Sequence, residues 1–368
     1  MFQIADVAAL SPASDTPRCS SSPESDTATQ YHSRMLRAAI VGIGTWGQNL
    51  VRSVEGSGRI RFVAGATRTP AKAEEFCRKH GIKLSGSYEE LLESDIDAVV
   101  LTTPHSQHCA EILAAAKAGK HVFVEKPLGL SLEETRRAVA ACVESRVTLA
   151  VGYNWRFQPA LREVKAMLAD GRLGKLLHLE GNFCGPSAYR FAREHWRQDR
   201  EEAPAGGMTG RGVHVVDAML YLAGRIDAVA SQSLRLAHDF GMDDTTSMLF
   251  RFAGGATGYL GTVVATAETW RLQVFGSKGW AEVGDVEHLT TWPMRVSFID
   301  GKDVTRKETP RTIAYPAVST ERAELERFAE SALARRPIAA PGGDEVHNVA
   351  VLEAIVKSAK EGSWARIG

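Results

Sequence analysis

The stretch Leu36-Arg37-Ala38-Ala39-Ile40-Val41-Gly42-Ile43-Gly44-Thr45-Trp46-Gly47 decides the fold. Its first half is an apolar run that reads as a buried strand, residues 37–41. Gly42, Gly44 and Gly47 then form G-x-G-x-x-G where an amphipathic helix opens, residues 46–54. The first glycine permits a tight turn. The second lets the backbone approach a pyrophosphate, and the third lets helix pack on strand. The helix N-terminus adds free N–H groups and partial positive charge, which suit phosphates. Three glycines alone are a weak signal, but here strand, helix and a further strand–helix unit follow in the expected order. Thr45 and Trp46, inside the loop, join the glycines as candidate cofactor contacts.

Outward from this loop, short apolar runs alternate with longer amphipathic ones as far as Val151. Strands are expected at 62–67, 98–102, 121–124 and 148–151. Helices are expected at 70–80, 88–93, 106–118 and 132–145, the last with Ser131 and Glu134 as a capping box. Such alternation implies βαβ units and a parallel sheet, a Rossmann domain over residues 35–152. The second strand ends in Ala66-Thr67-Arg68-Thr69-Pro70, with no acid to hold a ribose 2′-hydroxyl. Thr67 and Arg68 are placed instead to bind a 2′-phosphate, so NADP(H) is expected in preference to NAD(H).

After Val151 the pattern changes. Helices are expected at 159–170 and 211–224, then β segments at 228–237, 245–252, 256–265, 271–275 and 280–283. Ala253-Gly254-Gly255 reads as a hairpin turn. Thr246, Met248, Phe250 and Phe252 fall at period two, which buries one face. Helices at 321–334 and 344–361 close the chain and can pack back on the first domain. The fold class is therefore α/β: a Rossmann parallel-sheet domain plus an α+β domain, residues 153–368, with a large, mostly antiparallel open sheet.

Composition sets outer bounds. In 368 residues Lys plus Arg equals Asp plus Glu, so no basic surplus argues for nucleic acid. Apolar stretches fall far short of a membrane span. Five cysteines without CxxC spacing disfavour a disulfide framework or a zinc site and fit a reducing cytoplasm. No metal site is expected, and HExxH, Walker A and G-x-S-x-G motifs are missing. Residues 1–34 are rich in Ser, Thr, Asp and Pro and read as a disordered tail. Met35 directly precedes the first strand, so a start assigned too early accounts for the same segment. Asp243-Asp244 and Glu201-Glu202 read as solvated pairs.

The fifth strand runs into Val124-Glu125-Lys126-Pro127-Leu128, at the sheet edge that faces the ligand crevice. A lysine there can bond a carbinol oxygen and move its proton as hydride leaves. Pro127 restricts the residue before it. Thr102-Thr103-Pro104-His105, then His108, then Ala118-Gly119-Lys120-His121-Val122-Phe123-Val124-Glu125-Lys126-Pro127 resembles the signature of the glucose–fructose oxidoreductase / inositol dehydrogenase (Gfo/Idh/MocA) family. Gly152-Tyr153-Asn154-Trp155-Arg156-Phe157, Gly206-Gly207 and Gly212-Val213-His214-Val215-Val216-Asp217 extend the likeness over nearly all of residues 36–368. The resemblance implies NAD(P)-linked oxidation or reduction of sugars, cyclitols or related hydroxy compounds, and a homo-oligomer built through the open sheet. By position it makes Lys126 the catalytic lysine and His214 the histidine on the substrate hydroxyl. It adds Thr103, Pro104, His105, His108, Glu125 and Lys126 to the cofactor contacts. Tyr153, Asn154, Arg156 and Trp196 become candidate substrate contacts, and His195-Trp196-Arg197 falls where relatives line the cleft. Many members carry Asp four residues before the histidine, where this chain has Gly210. The substrate must then differ, or another group supplies the carboxylate. Arg211 beside it is suited to an anionic substrate. A non-catalytic dinucleotide-binding sensor is the competing reading.

Overall fold

The apolar runs before residue 152 all become strands of one sheet. The computed structural model describes residues 34–286, 289–299, 301, 303, 305, 308–337 and 345–368. The expected tail lies outside them except for Arg34. The strands are β1 (Leu36–Val41), β2 (Ile60–Ala66), β3 (Lys83–Leu84), β4 (Ala98–Leu101), β5 (His121–Val124) and β6 (Leu149–Val151). They pair in the order β3-β2-β1-β4-β5-β6, and every pairing is parallel. The order reverses between β1 and β4, which opens a crevice at their carboxyl ends. Helices α1 (Thr45–Ser53), α2 (Pro70–Lys79), α3 (Tyr88–Glu93), α4 (His108–Lys117) and α5 (Leu132–Glu144) connect them. Ser131 caps α5 by accepting from the Glu134 N–H, and Ser87 caps α3 through the Glu90 N–H. β3 is an addition to the expected set; at two residues it is too short to show a period.

A helix α6 (Pro159–Ala169) leads into the second sheet. Its strands are β7 (Leu176–Cys184), β8 (Ile226–Leu234), β9 (Thr245–Phe252), β10 (Thr257–Val263), β11 (Thr269–Gly276), β12 (Gly279–Val283), β13 (Met294–Phe298), β14 (Arg311–Ile313) and β15 (Ala365–Arg366). They lie in the order β14-β13-β12-β11-β7-β10-β9-β8-β15. All pairs are antiparallel except β7 with β10, which run parallel. The β9–β10 hairpin turns at Gly255, whose N–H bonds the Phe252 carbonyl. Thr246, Met248, Phe250 and Phe252 are all buried, as their spacing requires. The central strand, β7, and the short outer strands β13, β14 and β15 are additions to the expected set.

Helix α7 (Val213–Ala223) covers the inner face of this sheet. Two more helices, α8 (Thr320–Leu333) and α9 (Glu345–Glu361), end the chain. Helix α8 returns to the first sheet, where Leu325, Phe328, Ala329 and Ala332 join one core with Leu36, Ile40, Ile60 and Phe123. The Phe123 and Phe328 rings meet edge to face at 5.8 Å.

The solvated reading is corrected for Asp243, Asp244 and Glu202, while Glu201 is exposed as expected. Asp244 is buried and accepts backbone N–H bonds from Leu236 and Ala237, with the Thr245 hydroxyl at 2.9 Å. Burial pushes its carboxyl up, but these donors hold it below the usual range. Asp243 pairs with Arg200 and accepts from the Ser233 hydroxyl. Glu202 accepts from the Ser106 N–H and hydroxyl, so its carboxylate fastens two loops. Cys77, Cys109, Cys142 and Cys184 are buried and unpaired.

Candidate active site

The glycine loop is shaped as its spacing demands. Gly42 has φ +86°, and a Cβ there would lie 2.9 Å from the Thr102 carbonyl. A Cβ on Gly47 would lie 2.4 Å from the Gly42 carbonyl oxygen. A Cβ on Gly44 would meet nothing within 4 Å, so that backbone faces open space. Gly44 also caps α1 with no side-chain bond, which leaves the first N–H groups of the helix free. Thr45 is exposed beside them, and the Trp46 indole N–H is buried beside the Glu125 carboxylate. This cradle fits a dinucleotide pyrophosphate. At the tip of β2, Thr67 is half-buried, while Arg68 and Thr69 are exposed and no acid stands among them. Thr69 precedes α2 without capping it, so its hydroxyl stays available.

The ends of β4 and β5 are tied together by His108. Its ring nitrogens lie 2.9 Å from the Pro127 carbonyl and 3.1 Å from that of Thr103. Burial holds this imidazole below its ordinary value. His105, preceded by half-buried Pro104, is pushed down to about 3 by burial and then by His108. Its Nδ1 faces the Glu202 carbonyl at 2.8 Å, and its ring meets Trp196 edge-on at 5.1 Å. The Thr103 hydroxyl donates to Glu111 at 2.5 Å. Glu125 is buried against Gly152, with the Trp46 indole and the Lys126 backbone N–H beside its carboxylate.

Lys126 leaves the end of β5 through a cis bond to Pro127. Its ammonium donates to the Gly210 carbonyl at 2.9 Å. Thus the position that lacks the expected carboxylate meets the lysine with its backbone. Gly210 lies in a π-turn, Met208–Gly212, just before α7. Burial lowers Lys126 to about 8; Glu125 opposes the shift, and Arg197 and Arg211 add to it. His214, in the first turn of α7, stacks on Trp155 at 5.6 Å and 14°. Its Nδ1 is buried with no partner. Burial, then Lys126 and Arg211, hold it well below its ordinary value, so the ring is neutral.

The remaining sequence candidates divide. Arg211 reaches the Cys184 carbonyl at 3.1 Å and lies near enough to Lys126 and His214 to shift both. Trp196 sits against His105 and under Arg197. Tyr153, Asn154 and Arg156 are buried behind the crevice. Arg156 pairs bidentately with Asp217 at 2.8 and 2.7 Å, and Asn154 donates to Thr320 and Glu321. No sequence motif points to Glu324, whose two buried oxygens have no partner and whose carboxyl is pushed up by burial, then by Glu125. It comes from α8, far along the chain. Arg197 was visible only as part of a tripeptide.

Residues 36–153 match the family model described as "Oxidoreductase family, NAD-binding Rossmann fold", and residues 161–282 match "GFO/IDH/MocA C-terminal domain". The first holds the glycine loop and Lys126, and the second holds His214. A scyllo-inositol 2-dehydrogenase (NAD(+)) of Bacillus subtilis (strain 168) is 31% identical over 268 residues, 69% of this chain and 75% of that protein. The chain belongs to the GFO/IDH/MocA oxidoreductase family. Another relative in this family, the trans-1,2-dihydrobenzene-1,2-diol dehydrogenase of Bos taurus, is 31% identical over 228 residues. That match takes in 61% of this chain and spans 66% of the relative's length, just under two thirds. Among solved structures, aldose-aldose oxidoreductase from Caulobacter crescentus complexed with glycerol superposes with a TM-score of 0.80 at 26% identity. It covers 90% of this chain and 100% of that one. Among the described residues, no helix is long and apolar enough to cross a membrane.

Proposed function

We propose that the chain is an NAD(P)-dependent dehydrogenase or reductase. It moves a hydride between nicotinamide and the hydroxyl- or carbonyl-bearing carbon of a small polyhydroxy compound. The observation that carries this reading is Lys126. It is a half-buried amine at the crevice end of β5, brought down to about 8 and held by the Gly210 carbonyl close to His214. The relatives' names support it, since one is called a diol dehydrogenase and one an inositol dehydrogenase.

When bound, the dinucleotide supplies the hydride acceptor or donor. The chain's residues do the rest. Gly42, Gly44 and Gly47 with the α1 N-terminus hold the pyrophosphate. Oxidation of a carbinol leaves the hydroxyl proton, which passes to the neutral Lys126 Nζ; in reduction the ammonium returns it. A pKa near the working pH suits both directions. His214, neutral, makes a hydrogen bond to the same oxygen without competing for the proton. Thr67 and Arg68, with no acid beside them, favour NADP(H) over NAD(H). The open face of the nine-stranded sheet is the surface for a second copy.

The test is a hydride-transfer assay with NADP⁺ and NAD⁺ against polyols, sugars, cyclitols and hydroxy acids. Turnover should be faster with NADP⁺. Lys126→Ala should cut it by roughly 10²–10⁴-fold, with dinucleotide affinity nearly unchanged. Dinucleotide binding without hydride transfer to any compound would favour the sensor. Near-full turnover in Lys126→Ala, with loss in His214→Ala, would move the proton to His214.

A further inference from the structure

We infer that the substrate carries a carboxylate, seated between Arg197 and Arg211 beside Lys126. The inference rests on the dehydrogenase reading for its chemistry and on charge balance for its site.

Lys126 donates to the carbonyl of Gly210, the residue before Arg211, and Arg197 lies over Trp196, whose ring meets His105 edge-on, so three cations stand around the crevice. The position where a carboxylate would face them is Gly210. Arg197 is half-buried on the loop after β7. Its guanidinium lies 4.2 Å from the Trp196 ring centroid and 5.5 Å from that of Phe191. Among the described residues that guanidinium donates to no acceptor and joins no ion pair. The two ring faces hold the guanidinium while its five N–H donors stay open, so the fork is available to acceptors that a ligand brings.

Arg211 is better held but not neutralised. One nitrogen donates to the Cys184 carbonyl, and the guanidinium lies over Phe183 at 4.9 Å. Among the described residues its carboxylate contact is Glu268 at 3.8 Å, shared with Arg190, which sits closer at 3.2 Å. On the inner side, Glu324 is pushed up by burial toward its uncharged form, and Glu125 is the acid nearest the lysine. The substrate side is left net positive. An arginine fork matches a carboxylate bidentately, and the aromatic faces beneath both guanidinium groups fix their planes. Phosphates of the dinucleotide do not explain Arg197. The cradle for them is Gly42–Gly47 with the free N-terminus of α1, whereas Arg197 lies over Trp196, which packs on His105 after β4. A hydroxyl on the carbon chain of such an acid then falls to Lys126 for proton transfer, and the acid group itself is unchanged.

Calorimetric titration of the NADP⁺-saturated protein with D-gluconate and D-glucuronate, against D-glucose and myo-inositol, tests the clamp. Hydride transfer is measured on the same four compounds. The acids should bind about 10–100-fold more tightly than the neutral compounds, the size of one or two charge-assisted bonds. Arg197→Met should collapse that ratio by a similar factor through affinity or KM rather than kcat, and Arg197→Lys should restore part of it. Equal affinity for the two sets, including binding of neither, overturns the proposal. So does a loss of NADP⁺ affinity in Arg197→Met with acid selectivity intact. Acid-selective binding that depends on Arg197 but brings no hydride transfer leaves the clamp standing and removes the dehydrogenase reading instead.

Discussion

Lys126 stands where its charge is costly, and that cost has a sign that experiment can read. Burial lowers the amine from 10.5 to about 8, while an unfolded chain would keep the ordinary value. Below about 8 both states hold the proton, and the penalty for burying the charge is fully present. Between about 8 and 10.5 unfolding takes up a proton, so stability should rise with pH across that window. The same titration governs catalysis. For oxidation, kcat/KM should climb with a midpoint near 8, because the neutral amine is the base; for reduction it should fall there. His214 is held well below 6.5, so it should add no limb near neutrality. The measurement is the pH profile of the protein and of Lys126→Ala. A limb near 8 that persists without Lys126 would assign it to another group.

Strand β7 shows what one glycine does for an element. A Cβ on Gly181 would lie 2.7 Å from Val215 Cγ1 and 3.3 Å from Met219 Cε, both on α7. The glycine therefore lets α7, with His214 in its first turn, settle on the sheet. Gly181→Ala should destabilise the fold by about 1–3 kcal/mol, read from urea unfolding, because the helix must move to make room. A change within a few tenths of a kcal/mol would mean the helix is not pressed against the strand. That close approach is also why β7 escapes a reading of the sequence. Its apolar alternation at Leu179 and Phe183 is broken by Gly181 and diluted by His178, Glu180 and Asn182. β1, β2 and β4 to β6 were legible because strands buried on both faces are continuous apolar runs. Lys126 and His214 were legible because each belongs to a local motif. Arg197 and Glu324 were not, since their surroundings are made by α8 and by loops that meet only in the folded chain. The π-turn at Met208–Gly212 is likewise invisible as a pattern, although it presents the Gly210 carbonyl to the lysine.

Taken as one body, residues 35–368 hold two sheets, one sheathed by helices on both sides and one whose outer face carries no helix among the described residues. On that outer face Leu249 is 50% exposed, and Tyr259, Phe275 and Trp280 are half-buried. Around them Arg271 pairs with Glu180 and Glu282, and Arg295 with Glu282. Apolar centres ringed by charge suit a second copy of the same surface. Light scattering should find a multimer, and Leu249→Glu should shift it toward the single chain; a monomeric unsubstituted protein would remove the pairing. The return of α8 to the first sheet has a consequence for how the chain is made. Ser57 bonds Glu326, 269 positions later, and Phe123 packs on Phe328. A ribosome releases the six strands early and the helix that covers them late. Until α8 emerges, Leu36, Ile60 and Phe123 stand without part of their covering. The nascent chain must keep that greasy flank from other chains while the whole second sheet is still being synthesised.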